Sequence, residues 1–447
     1  MKEIIMEMLS QNKVHDARNE LLTMNVVDIA QIFEEFDEAD RHQLVRLFRI
    51  LPKDVSVGVF SYIPPELQQF IIESITDKEI KGIIDELFLD DAIDFIEEMP
   101  ANVVKRVLKN TDENLRKLIN QFLNYPENSA GSIMTIEYVD LNKEMTVQQA
   151  LEHIKKTGVD KETINTCYII DKSRKLEGVV SIRRLILSEE TDLIKDILND
   201  DVISVKTLDH QEFTAQVFKK YDLTTMPVVD NENRLVGIIT VDDIVDIIDR
   251  ENTEDIQRMA AIQPSEEEYL RTDIFKLAKH RIVWLLVLMI SATFTGNIIK
   301  SFEDVLQNVI VLAAFIPMLM NTGGNAGSQS STLIIRGLAL GNIEIKDAFK
   351  VVFKEFRVSL IVGFSLATVN FIKMIIIDKV EIKIATTVCI TIFLTVILAK
   401  IVGGLLPIAA KSVKLDPAIM ASPLITTIVD IFSLMIYFKI ASLMLNF

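Results

Sequence analysis

The sequence predicts a multidomain membrane protein built in four successive parts: an all-α N-terminal helical domain, a duplicated α/β pair, a long acidic linker helix and a five-helix transmembrane domain. Three observations predict it. Residues 271–447 contain five apolar segments, each near or above the ~20 residues that cross a bilayer. The middle of the chain carries an internal repeat at an offset of 59 positions. Residues 1 to about 125 alternate apolar and charged positions at helical spacing, with little strand character.

Charge separates the parts. The 447 residues carry a formal charge of −17; up to Thr272 there are 31 Lys and Arg against 54 Asp and Glu, and from Asp273 onward 16 against 10. The acidic part argues against a nucleic-acid partner and suits either a binder of cations or a merely soluble surface. Cys167 and Cys389 are too few for a disulfide framework, and the five histidines show no metal-ligand spacing. Met1-Lys2-Glu3-Ile4-Ile5 opens no apolar run of secretory length, so the acidic part is expected in the cytoplasm.

In the N-terminal domain, 1–128, short amphipathic segments are cut by Pro64-Pro65 and Pro100. Asp90 and Asp94 share a helix face at i, i+4, where like charges repel unless solvent screens them or a cation bridges them. A polar link, Tyr125-Pro126-Glu127-Asn128-Ser129-Ala130-Gly131-Ser132, then marks a domain boundary. In the repeat, 129–192 and 193–250, Ile169-Ile170-Asp171 with Gly178-Val179-Val180-Ser181 matches Val228-Val229-Asp230 with Gly237-Ile238-Ile239-Thr240. Each copy reads helix, strand, polar turn, strand, helix.

The pair resembles tandem CBS domains, which often bind adenine nucleotides through Gly-x-x-Thr-x-x-Asp. Gly237, Thr240 and Asp243 keep that pattern, whereas Arg184 takes the acidic position in the first copy. The resemblance implies at most one site, for ATP or another adenine nucleotide as regulator. The alternative is a pair that serves only for dimerisation and sensing. Over 241–270 follows the acidic connecting helix, with Asp243, Asp246 and Asp249 on one side and Ile244, Ile247 and Ile248 on the other.

In the membrane part, Asn321-Thr322-Gly323-Gly324-Asn325-Ala326-Gly327-Ser328-Gln329 is a poor lipid-facing helix. The GxxxG spacing of Gly323 and Gly327 serves close helix packing, but packing does not require amides, and polar backbone at that depth belongs on protein or a wet cavity. Asp430 lies mid-segment, and Ser422, Thr426 and Asp430 recur every four residues as one polar stripe. The stripe either lines a pore or makes a structural bond, such as one from Asp430 to Lys400. Arg271, Lys276, Lys279, Arg281, Arg336, Lys346, Lys350, Lys354, Arg357, Lys411 and Lys414 flank the inner ends, which puts the N-terminus inside and the C-terminus outside.

Pro317, Asn321 and Gly323-Gly324-Asn325-Ala326-Gly327-Ser328-Gln329, with Gly403-Gly404-Leu405-Leu406-Pro407 and Asp416-Pro417-Ala418, resemble the signatures of MgtE-type magnesium channels over nearly the whole chain. The resemblance implies a homodimer in the lipid bilayer of the plasma membrane, taking up Mg2+ passively and closing when cytosolic Mg2+ gathers on its acids. The regulatory residues it implies are Asp90, Asp94, Glu212, Asp222, Asp243, Asp246, Glu251, Glu254 and Asp255, with Asp416 at the cytoplasmic mouth. Mg2+ gives up water reluctantly, so Asn321, Gly324, Asn325 and Asp430, with Ser422 and Thr426, would meet a hydrated ion, the glycines freeing backbone carbonyls. His210, the segment Asp54–Phe60, Ser433 and Lys400 depart from the family's pattern. No enzymatic chemistry is expected, because the glycine-rich stretch lacks the phosphate-binding lysine of an ATP-driven pump. The alternatives are an ion-coupled divalent-cation exporter and a membrane-anchored nucleotide-sensing regulator.

Overall fold

The computed structural model describes every residue except 12, 37–39, 266–268, 271, 421, 446 and 447 and the side chain of Ser422, so Arg271 lies outside the described residues. The chain forms two compact units, residues 1–247 and 248–447.

The first unit begins with short helices, α1 to α10, running from Lys2–Ser10 to Glu113–Phe122. Prolines and caps keep them short. Pro52, Pro64 and Pro100 immediately precede α5 (Lys53–Tyr62), α6 (Pro65–Ser74) and α9 (Ala101–Asn110). Thr76 opens α7 (Asp77–Ile84) with a capping box closed by Glu79. Each helix buries one stripe, and Phe60 meets Phe95 of α8 (Leu89–Glu98) edge to face at 5.1 Å. Arg106 of α9 donates to the carbonyls of Ile72 and Ile75 at 2.7 Å each and to Asp77 at 2.9 Å. One guanidinium thus satisfies the open end of α6 and ties α9 to it.

The repeat folds into two three-stranded sheets of the same design. In the first, β1 (Val139–Leu141) is parallel to β2 (Thr166–Ile170), which is antiparallel to β3 (Leu176–Ser181), with α11 (Val147–Thr157), α12 (Ile182–Leu187) and α13 (Ile194–Ile197) around it. In the second, β4 (Val205–Lys206), β5 (Thr225–Val229) and β6 (Leu235–Thr240) repeat the order, with α14 (Gln211–Tyr221) between β4 and β5. The copies join reciprocally. Leu176 N–H donates to Asn233 O at 3.0 Å and Leu235 N–H to Arg174 O at 2.9 Å, pairs related by the same 59-residue offset. Arg174 and Asn233, the equivalent turn residues, both take left-handed φ, 65° and 62°.

The acidic helix α15 spans Val241–Met259 and buries Ile244 and Ile247. It is shorter than the expected 241–270. Ala261 turns left-handed at φ 55°, and the N–H groups of Ala261 and Ile262 donate back to Arg258 O and Gln257 O, closing the helix before Pro264 is reached.

Among the described residues of the second unit, five helical segments are long and apolar enough to cross a membrane. They contain α16 (Ile274–Ser301), α18 (Ile316–Ala339), α19 (Ala348–Ile376), α20 (Ile382–Ser412) and α21 (Ser422–Leu445), with α17 (Glu303–Asn308) between α16 and α18. α16 and α19 begin well before their apolar runs, because the Lys- and Arg-rich flanks continue the helix rather than end it. The core includes Leu312, Leu319, Val388, Val396, Val429 and Leu434. Phe302 stacks on Phe438 at 4.9 Å, and Tyr437 donates to Leu312 O at 2.9 Å.

Candidate ion path and acidic cluster

Two faces of α18 differ in kind. Leu319, Gly323, Ala326, Gly327, Ser330 and Ile334 are buried. Pro317, Asn321, Asn325, Gln329 and Thr332 are exposed along one side, a stripe too polar to face lipid. Asn325 Nδ2 donates to Asn321 Oδ1 at 2.9 Å, which orients both amides. The glycines provide close approach. A Cβ at Gly324 would sit 2.9 Å from Thr426 Cγ2, and one at Gly403 only 2.2 Å from Gly327 O. α18 runs unbroken from Ile316 to Ala339, so the carbonyl of Gly324 stays within the helical ladder. The expected freeing of backbone carbonyls there is not met, because the space gained by losing Cβ is filled by Thr426 rather than by a break.

Across this contact α21 presents Thr426, which donates to Pro423 O at 2.9 Å, and, one turn on, Asp430. Asp430 Oδ1 is buried and has no hydrogen-bond partner among the described residues. Lys400 does not take that role: its ammonium donates instead to Ser330 Oγ at 3.3 Å. Ser433, one of the departures from the family's pattern, donates its hydroxyl to Val429 O at 2.6 Å. The side chain of Ser422 lies outside the described residues.

Asp416 accepts from Arg258, which also pairs with Glu254 one turn back on α15. Asp416 Oδ1 further accepts from Ala418 N–H at 2.7 Å. Arg336 donates to Asn252 at 3.0 Å beside it. Two of the expected cation ligands are therefore held together by a guanidinium.

The first unit gathers a second set of acids. Asp90, Asp91 and Asp94 of α8 approach Asp242 and Asp243 of α15, with Glu162 from the loop before β2. Burial, and then repulsion from the neighbouring acids, raises Asp90, Asp91, Glu162 and Asp243 above the usual carboxylate range. Asp90 is raised well above the usual carboxylate range by burial and by Asp243. Asp91 is pushed to about 7 by burial and by Asp94, and Glu162 to about 7 by burial and by Asp242. Asp243 reaches about 6 through burial, held down by the Thr240 hydroxyl, which donates to it at 2.8 Å. A divalent cation bound there would relieve the repulsion that raises these values. Among the described residues no three acids, histidines or cysteines are close enough to hold a metal ion as they stand.

Asp91, Asp242 and Glu162 were not singled out in the sequence. Asp91 and Asp242 adjoin residues that were, but Glu162 sits in an irregular loop where no periodicity marks it. Glu212 and Asp222 lie at opposite ends of α14, and Asp246, Glu251 and Asp255 further along α15. His210 caps α14, its Nδ1 accepting from Glu212 N–H at 3.2 Å, a task an aspartate would also perform. Gly237 has a packing role, since a Cβ there would meet Thr135 O at 2.6 Å. Thr240 and Asp243, the residues of the expected nucleotide pattern, are bonded to each other. In the first copy Ser181 Oγ instead accepts from Arg184 N–H at 3.2 Å.

Residues 316–440 match the family described as a divalent cation transporter, residues 24–128 the MgtE intracellular N domain, and residues 130–189 and 194–250 the CBS domain. The magnesium transporter MgtE of Thermus thermophilus is 33% identical over 450 residues, spanning 99% of this chain and 98% of that one. Its counterpart in Bacillus subtilis is 34% identical over 438 residues, spanning 98% and 96%. Among solved structures, the cytosolic domain of the Mg2+ channel MgtE in complex with ATP is similar with a TM-score of 0.52 at 32% identity, covering 55% of this chain and all of that one. The soluble part of a magnesium transporter is similar at 0.51 and 30%, covering 56% and 97%.

Proposed function

Because the chain belongs to the MgtE family of magnesium transporters, we infer that it is a homodimeric, multi-pass channel of the plasma membrane through which Mg2+ enters down its electrochemical gradient. The observation that carries this reading is Asp430, an intramembrane carboxylate with one buried oxygen that no described side chain engages. Such a group calls for a cation or a wet path. The exposed amides of α18 support the dimer, since a second copy would remove them from lipid and bring two carboxylates to one dication. Mg2+ enters this reading as a hydrated ion, met by the Asn321 and Asn325 amides, Thr426 and Asp430.

The basic inner flanks support a cytoplasmic N-terminus and an outward C-terminus. Closure follows from cytosolic Mg2+ on the acids of α8 and α15, chiefly Asp90, Asp91, Asp94, Asp242 and Asp243 with Glu162. Asp246, Glu251, Glu254, Asp255, Glu212, Asp222 and Asp416 complete the acidic surface in this reading. ATP is the nucleotide of choice for Thr240 and Asp243, on the strength of the ATP-bound relative.

The test is Mg2+ flux into sealed vesicles holding the purified chain and no other ion gradient. The unmodified chain should admit Mg2+, and Asp430→Asn should reduce the flux at least about a hundredfold. Flux that survives Asp430→Asn would leave the conduction path elsewhere.

A further inference from the structure

Three polar side chains of the membrane unit remain unassigned. Lys400 of α20, Ser330 of α18 and Glu355 of α19 are 5%, 1% and 8% exposed. The Lys400 ammonium donates to Ser330 Oγ at 3.3 Å, and the Ser330 hydroxyl donates to Glu355 Oε2 at 2.6 Å. The Ser330 hydroxyl has a weaker alternative in Ala326 O at 3.4 Å. A buried charge left alone is strongly unfavourable, more so in a membrane, so each end of this chain needs the other. One hydroxyl carries the connection between them.

The surrounding packing gives the connection a task. α18 and α20 meet backbone to backbone, with Gly403 against the carbonyl of Gly327. Glycine on glycine fixes the separation of the two helices and turns the Cβ-free face of α18 toward α20 and α21, against Thr395, Ile425 and Thr426. Hydrogen bonds are directional and add a second hold on that rotation. At about 100° per residue, Ser330 lies about 180° from Asn321 and about 140° from Asn325 around α18. Holding the helix at Ser330 therefore sets the direction of the amide stripe on its other side.

We propose that Lys400, Ser330 and Glu355 form a positioning bridge that fixes the rotation of α18 and so presents Asn321 and Asn325 to the permeating hydrated cation. The inference rests on the transport reading above. The three residues act through α18, and none of them touches the ion.

The experiment uses the full-length chain in vesicles loaded with a magnesium-sensitive dye, with uptake measured against external Mg2+. Lys400→Met and Glu355→Gln should each raise the half-saturating Mg2+ concentration and lower the maximal rate by about tenfold or more, whereas the double variant should recover to within about threefold. Ser330→Ala should shift both quantities in the same direction, and Ser330→Thr, which keeps the hydroxyl, should restore them. Where a charge variant fails to fold, Ser330→Ala decides. In a chain also carrying Asn325→Cys, it should change the rate of labelling by a charged thiol reagent several-fold. An unmodified chain without flux removes the transport reading and the bridge together. Normal flux in the single variants, a double variant no better than the worse single one, or an unchanged labelling rate overturns the bridge alone.

Discussion

A carboxylate at the centre of an apolar helix costs about 2.5 to 3.5 kcal/mol on insertion scales, and among the described residues no hydrogen bond to the buried oxygen of Asp430 offsets it. The glycines around it set what substitution can do. At Gly403 the obstacle is the backbone of Gly327, at Gly324 the movable side chain of Thr426. Gly403→Ala should thus cost about 3 kcal/mol or more and Gly324→Ala about 1 kcal/mol, read as melting temperatures in detergent. Equal losses would contradict the helix contacts described. Asp430 was legible in the sequence because a lone acid in an apolar run has few uses. Glu355 was not, because Lys354-Glu355-Phe356-Arg357 reads as a cytoplasmic flank until α19 is seen to carry it against Gly404. Lys400 stood out as a departure, but its partner is another helix's hydroxyl, which no spacing reveals.

Among the elements, α8 and α15 oppose carboxylates of which Asp90, Asp91 and Asp243 have folded-state values above their ordinary ones. Between about 4 and about 7 the folded chain therefore binds more protons than the unfolded chain, and its stability falls as pH rises through that window. In magnesium-free buffer the melting temperature of the acidic unit should drop from pH 5 to pH 8. Asp91→Asn should recover on the order of 1–2 kcal/mol at pH 8, discounted for partial exposure. Saturating Mg2+ should remove most of the fall at pH 8 and do little at pH 5; a pH-independent melt would disprove the mutual repulsion. On α14, His210→Ala should cost about 1 kcal/mol and His210→Asp close to none, since the cap is an acceptor for Glu212 N–H. The helical array and the repeat were readable from periodicity and from the 59-residue offset. The early end of α15 was not, because it depends on a left-handed alanine rather than on a glycine or proline.

For the molecule as a whole, the charge asymmetry and the five apolar segments gave the architecture, and what they left open was how distant acids find partners. Asp416 and Glu254 lie 162 positions apart and meet through Arg258. Arg258→Gln should free both carboxylates, and in patch recordings it should shift the internal Mg2+ dependence of closure; an identical closing curve would remove Arg258 from the gate. The reciprocal bonds between the two sheets reach further. Each copy supplies the acceptor for the other's first β-hairpin donor, at Leu176 and Leu235, so a fragment ending near residue 190 would keep Leu176 with an orphaned amide on a bare edge. Two such fragments would complete each other head to head, as the duplicated sequence now does within one chain. The ancestral single module would then have been an obligate pair, and duplication would have turned a meeting between molecules into a covalent certainty.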